Sequence, residues 1–235
     1  MFGSFRKHDP EPPNVFSEGR AGSQLPFVDE NLVDIGGELN VQTLLRAYRS
    51  GSFPWTVDPV TWWSPDPRAV IEYGSLHVSR SLARAIQKGR FSVTVDQQFD
   101  DVIDACGAWA PQRRTTWITA EFVRAYKEMH RAGHGHSLEV WQGGKLIGGI
   151  YGVAIGGYFA GESMFHRVSN ASKAAVYFLV QHLRGRGYTL FDIQMPTRVT
   201  LQLGASLLPR REFLVRLRDA QRLPATFGSE FAGKS

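Results

Sequence analysis

Between Ser137 and Phe213 the chain reads SLEVWQGGKLIGGIYGVAIGGYFAGESMF (137–165), then a helix-like run rich in Ala, Val and aromatics, then FDIQMPTRVTLQLGASLLPRREF (191–213). Alternation predicts strands over 137–141 and 145–151, joined by the hairpin signal Gln142-Gly143-Gly144. A third strand is expected over 153–159, interrupted by Gly156-Gly157, with Gly161-Glu162-Ser163-Met164-Phe165 as a corner that closes the meander. Ser169 or Asn170 can cap a helix over 171–183, which Arg184-Gly185-Arg186-Gly187 ends. A strand over 188–194 then puts Leu190, Asp192 and Gln194 on one face. In this β-β-β-α-β order two polar side chains lie in phase at a strand end, where they face a cleft rather than a core.

Outward from this unit, the remaining elements are shorter. Asn40 can cap a helix over 41–50 with Leu44, Leu45 and Tyr48 on one face, and Gly51 stops it. Phe53-Pro54-Trp55 and Trp62-Trp63-Ser64-Pro65-Asp66-Pro67-Arg68 follow, with three prolines holding the backbone extended or in turns. Rigid aromatic loops of this kind either make a stacking surface or pack two layers together. A strand starts at Ala69, and Ser79 or Ser81 can cap a short helix containing Leu82, Ala85 and Ile86. Phe91 to Val95 alternates as a strand, and Asp96 can cap the helix of Phe99, Val102 and Ile103. A loop over 107–116 carries Pro111, Arg113 and Arg114. Beyond Trp117 a helix over 121–132 has Phe122, Ala125, Tyr126 and Met129 on its apolar face. A last strand or helix is expected over 212–218, with a frayed tail after Gln221, while residues 1–24, rich in Pro, Gly and Ser, read as a mobile tail.

The 235 residues suffice for one good-sized domain with a smaller partner, and 43% hydrophobic with 21% charged residues is an ordinary globular composition. A net charge of +5 is compatible with an anionic partner such as RNA. The single cysteine, Cys106, excludes an internal disulfide framework and reads as a small buried apolar residue. No apolar run reaches the roughly 18 residues of a membrane span. The N-terminus has no signal-peptide core, so a cytoplasmic protein is expected. His130, His134 and His136 do not read as a metal site, because Gly133 and Gly135 deny them a shared helical face.

Several chemistries are excluded by what is missing. There is no G-x-S-x-G elbow, no G-x-x-x-x-G-K-[ST] phosphate loop, and no G-x-G-x-x-G opening a helix. The glycines of Gln181 to Gly187 close a helix instead of opening one, which argues against coenzyme A. What remains is Asp192 and Gln194 at a strand end, near Glu162 and surrounded by aromatics. That set suits acyl transfer from an activated donor to an amine, which needs positioning, a proton acceptor and oxyanion stabilisation. Equally open on the pattern alone is that the pair ties strand ends to loops.

The motifs resemble those of the leucyl/phenylalanyl-tRNA–protein transferase family, the bacterial enzymes of the N-end rule pathway. The resemblance rests on Gly36-Gly37-Glu38-Leu39, Ala47-Tyr48-Arg49-x-Gly51-x-Phe53-Pro54-Trp55, Trp62 to Arg68, and Thr116-Trp117-Ile118. It continues through Gly133-x-x-His136-Ser137-x-Glu139-Val140-Trp141, Gly148-Gly149-x-Tyr151-Gly152, Gly161 to Phe165, and Asn170-Ala171-Ser172-Lys173, ending on Asp192-x-Gln194 and Leu203-Gly204-Ala205. It implies an α+β fold, with a small N-terminal α/β domain over 25–69. A larger N-acetyltransferase-like domain over 70–235 would have a mixed, mainly antiparallel sheet.

The implied reaction moves Leu or Phe, and Met less well, from aminoacyl-tRNA to the α-amino group of proteins beginning with Arg or Lys. The product is marked for degradation. No cofactor or metal is implied, and the protein is expected to act as a monomer away from any membrane. By position, Asp192 and Gln194 match the catalytic pair, with Gln194 contacting the attacking amine and Asp192 supporting the proton relay. Trp55 and Trp117 match aromatics that hold the 3′-terminal adenosine. Ile150, Glu162, Val176 and Leu179 match the lining of the donor side-chain pocket. Arg184, Arg186, Arg210 and Arg211 are candidates for tRNA phosphates. Val199 stands where the family has His, and Gln202 where it has Ser. That departure leaves open the alternative, an aminoacyl-tRNA-binding paralogue with weakened catalysis or a different amine acceptor, against which Asp192 and Gln194 argue.

Overall fold

A computed structural model describes residues 30–108 and 116–233. The expected tail over 1–24 and Pro111, Arg113 and Arg114 lie outside the described residues. In chain order the elements are β1 (Leu32–Ile35), α1 (Val41–Ser50), β2 (Phe53–Val57), β3 (Val60–Trp63), β4 (Arg68–Ile71), α2 (Arg80–Gln87), β5 (Ser92–Val95), α3 (Phe99–Gly107) and α4 (Ala120–Arg131). They continue as β6 (Gly135–Gln142), β7 (Lys145–Ile155), β8 (Tyr158–His166), α5 (Ala171–Gly185), β9 (Leu190–Gln194), α6 (Arg198–Gln202), β10 (Ser206–Leu208) and α7 (Arg210–Gln221).

The fold is α+β. A small three-stranded sheet, in the order β1-β3-β2, accompanies a seven-stranded sheet in the order β10-β4-β9-β8-β7-β6-β5. The larger sheet is antiparallel except for β8 and β9, which run parallel on either side of the α5 crossover. Two core clusters flank it. The first gathers α1, α3, α4 and α7 with Tyr151, Tyr158 and Leu190, and the second gathers α2 and α5 with Leu138, Ile150 and Phe191. Alternation along each strand divides its side chains between the two.

Local signals explain several helix ends. Asn40 accepts from the Thr43 amide at 2.9 Å, and Gly51 closes α1 at φ 85° in the left-handed region. Ser79 caps α2, and Cys106 is fully buried in α3.

The structure corrects the sequence expectation in four places. β7 runs unbroken to Ile155, the Gly156-Gly157 pair makes the hairpin turn, and Gly161 to Phe165 lies inside β8 rather than at a corner. Gly152, in mid-strand, makes room rather than a break, since a Cβ there would sit 2.1 Å from the Ala160 carbonyl oxygen. Asp96 does not cap α3; its carboxylate accepts from the Ser137 amide and meets His136 Nδ1 at 2.6 Å. The helix-start residue Asn170 makes no side-chain cap and is itself left-handed at φ 68°. Residues 222–233 are packed rather than frayed, because Phe227 is 2% exposed and lies against His136, Phe159 and His182.

Candidate active site

β9 supplies the centre of the site. It lies between β4 and β8, so Asp192 is fully buried and Gln194 is nearly so. Asp192 Oδ1 accepts from Arg68 Nε at 2.9 Å and from the Gln194 amide at 2.8 Å. Its Oδ2 accepts from Arg68 Nη2 at 2.7 Å and from the Tyr158 hydroxyl at 2.8 Å. Four donors occupy the four lone-pair sites of the carboxylate. Arg68 is itself fully buried, with its guanidinium 5.0 Å from the Phe53 ring centre and 4.4 Å from that of Phe213, and it also donates to the Gly51 carbonyl. Burial opposes its charge, but Asp192 outweighs that and holds it above the ordinary arginine range.

The Asp192 contact fixes Gln194 at φ 62°, a left-handed conformation uncommon for a non-glycine residue. Held strain of this kind collects at functional sites. From there the Gln194 amide nitrogen donates to Glu162 Oε1 at 2.7 Å. Glu162 lies at a register shift between β7 and β8 and is partly exposed. Its Oε1 also accepts from the Tyr48 hydroxyl at 2.7 Å, and its Oε2 from the Tyr126 hydroxyl at 3.0 Å. The two hydroxyls are 2.5 Å apart. Burial pushes the Glu162 carboxyl up to about 7, and Asp192 adds to the rise against the pull of the two phenols and Gln194. Burial also holds Tyr48 and Tyr126 well above the ordinary tyrosine value.

An aromatic run leads from this cluster. Tyr126 stacks on Phe122, Phe122 meets Trp117 edge-on, and Trp117 stacks on Trp55 with ring centres 5.9 Å apart at 16°. Asp192, Gln194, Glu162, Trp55 and Trp117 are thus connected through contacts on one side of the sheet. Ile150, Val176 and Leu179 are each no more than 4% exposed and pack in the second core cluster.

The four candidate arginines divide. Arg186 Nη2 donates to the Glu230 carbonyl, and Arg210 Nη1 to the carbonyls of Ser64 and Glu30, whereas Arg184 and Arg211 are exposed. A basic face missed in the sequence runs along α2 onto its C-cap, where exposed Arg80, Arg84 and Lys88 recur at four-residue spacing beside exposed Arg90. Arg84, Lys88, Arg90 and Phe91 line one cleft with Asn170. The i, i+4 spacing was the available signal. Tyr48, Tyr126, Tyr158 and Arg68 were also missed as site residues, since they join it only through long-range pairing.

Among the described residues no three or more His, Cys, Asp or Glu side chains come together to hold a metal ion. His130 stacks on Phe99 and His136 on Phe227. Among the same residues no helix is long and apolar enough to cross a membrane. Val199 packs partly buried against the second core cluster, and Gln202 Oε1 accepts from Lys173 Nζ at 3.1 Å.

Comparison with known proteins decides the family. Residues 70–218 match the model of leucyl/phenylalanyl-tRNA protein transferase, and residues 37–66 match that of its N-terminal domain. The chain belongs to the leucyl/phenylalanyl-tRNA–protein transferase family. It is an aminoacyltransferase by that membership. It is 46% identical over 204 residues to the leucyl/phenylalanyl-tRNA–protein transferase of Shewanella baltica (strain OS155), covering 86% of each chain. It is 48% identical over 202 residues to that of Pseudomonas aeruginosa (strain LESB58), covering 85% of this chain and 89% of the relative. Among solved structures, L-PGS from Bacillus licheniformis is similar at 11% identity and a TM-score of 0.41, covering 75% of this chain and 61% of that one. Both matched transferase segments contribute to the site, with Tyr48 and Trp55 from 37–66 and Glu162, Asp192 and Gln194 from 70–218.

Proposed function

We propose that the chain transfers Leu or Phe, and Met less well, from aminoacyl-tRNA to the α-amino group of proteins beginning with Arg or Lys, marking them for degradation. Family membership supports the donor and the class of acceptor. The observation that carries the chemistry is the convergence of Gln194, Glu162 and Asp192 at the β8–β9 pair, with Gln194 fixed by Asp192. The donor ester already carries the activation, so the site has only to place the amine, move its proton and stabilise the oxyanion.

In this reading Gln194 contacts the attacking amine, and Asp192 supports the relay by holding Gln194 in place. Trp55 and Trp117 hold the 3′-terminal adenosine. Their rings already stack on each other, so the base lies on an outer face of the pair. Ile150, Glu162, Val176 and Leu179 line the pocket for the donor side chain, whose full burial is worth about 1.5–3 kcal/mol. Exposed Arg184 and Arg211 and the α2 face of Arg80, Arg84 and Lys88 meet phosphates. Arg186 and Arg210 would do so less readily, since their guanidinium groups already donate to backbone carbonyls. The division into a unit over 25–69 and another over 70–235, action as a monomer, and a cytoplasmic setting belong to the same proposal.

The test supplies labelled Leu-tRNA with peptides beginning with Arg, Lys, Asp or Ala. Transfer to the Arg and Lys peptides is expected. Transfer to the Asp peptide alone would move the acceptor assignment. Binding of tRNA without transfer to any peptide would put the binding-only alternative in its place.

A further inference from the structure

We propose that Glu162 is the group that takes the proton from the attacking amine, with Tyr48 and Tyr126 as positioning residues that close a hydrogen-bond ring around its carboxyl group. The proposal rests on the transfer reaction above. It begins from a count of protons. The Tyr48 hydroxyl, the Tyr126 hydroxyl and the Glu162 carboxyl make three oxygen–oxygen contacts, of 2.5, 2.7 and 3.0 Å. Each contact needs one proton to be a hydrogen bond. With Glu162 ionised the two phenols supply two, and the third contact leaves two oxygens facing each other without one. With Oε2 protonated the ring closes: Oε2–H donates to Tyr126, Tyr126 to Tyr48, and Tyr48 to Oε1. The ring is therefore built to receive one proton.

The neighbouring carboxylate is not. All four lone-pair sites of Asp192 are filled, and it is fully buried against Arg68. Among the described residues Glu162 accepts from three donors, Tyr48 and Gln194 on Oε1 and Tyr126 on Oε2, which leaves Oε2 able to take a proton, and it is partly exposed. The phenols keep their own protons, since burial raises both well above the ordinary range. A carboxyl held near 7 is ionised often enough at neutral pH to accept a proton and acidic enough to release it. The groups facing it are Tyr48 from α1, Tyr126 from α4, Tyr158 from β8, Asp192 and Gln194 from β9, Arg68 from β4 behind Asp192, and Tyr151 from β7 behind Tyr126.

The step balances without a further reactant. The amine lone pair forms the new C–N bond at the ester carbonyl carbon. The ester C–O bond breaks, and its electron pair leaves on the ribose oxygen. The surplus proton on nitrogen passes to Oε2 of Glu162 and then to that ribose oxygen, which leaves as a hydroxyl and returns Glu162 to its ionised form.

The test is the pH dependence of kcat/KM with Leu-tRNA and an Arg-initiated peptide. The amine ionises near about 8, so two groups must lose a proton in the wild type and the acid limb should approach a slope of two. Glu162→Gln should give a slope of one and a rate lower by about 100-fold or more at the optimum, with the Kd for tRNA unchanged. The Tyr48→Phe and Tyr126→Phe double variant keeps the carboxyl but not the ring, and should move the lower break in the profile. A Glu162→Gln profile that matches wild type in rate and slope overturns the proposal alone, as does an unmoved break in the double variant. Absence of transfer by the wild type at every pH overturns the transfer reaction itself and this proposal with it.

Discussion

Arg68 and Asp192 pair out of contact with water, and beside them Glu162 is the carboxyl that burial raises to about 7. The linkage has a definite sign. Glu162 is raised in the folded protein from its ordinary 4.5 to about 7, so folding takes up a proton between those values. Its contribution to stability is full below about 4.5 and is lost as pH rises through about 7. Urea unfolding of wild type and Glu162→Gln, followed against pH, should show the variant gaining on wild type across that window. A constant difference would mean the carboxyl is not raised. Of these residues the sequence exposed Asp192 and Gln194, because alternation along one strand puts them in phase. It did not expose Arg68, which joins Asp192 across 124 residues of chain, or Tyr48, which meets Glu162 across 114. Such pairings exist only once the sheet order is set, and no local period encodes them.

The β7–β8 hairpin sets the position of Glu162. The ladder shifts register between Tyr151 and Gly152, opposite Ser163 and Gly161, so Glu162 falls at the irregularity and turns toward Tyr48 and Tyr126. Gly152 permits this, because a side chain there would press on the Ala160 carbonyl and the Phe159 ring. Gly152→Ala should therefore cost on the order of 1–3 kcal/mol or more in stability, read by urea unfolding, and should slow transfer by displacing Glu162. Unchanged stability and rate would show that the approach tolerates a methyl group. β6, α1 and α4 were legible from their apolar period, and α1 also from its Asn40 cap. The Gly-rich strands were misdivided because Gly signals both a turn and a close approach, and only packing tells them apart. Helix α7 stayed ambiguous between strand and helix, since its buried face is only Phe213, Leu217 and Ala220.

On the scale of the whole molecule, the small sheet and the large one share a core cluster. Phe53 and Trp62 of the small sheet, and Tyr48 of α1, lie in the same cluster as Phe213 and Tyr158. Arg68, directly after the tryptophan-proline stretch, carries that junction to Asp192. The resemblance in the motifs identified the family before any of this packing was visible, but the roles of Arg68 and the two phenols follow only from it. The segment over 222–233 adds a buried Phe227 that a polar, turn-rich sequence concealed. Centrally, the β9 pair is the chemical centre of transfer rather than a structural tie. Single-turnover transfer of Leu from Leu-tRNA to an Arg-initiated peptide by Asp192→Asn, measured beside its Kd for tRNA, tests this directly. The expected result is a rate lower by about 100-fold or more with tRNA affinity unchanged; equal losses of rate and affinity, or no loss of rate, would contradict it.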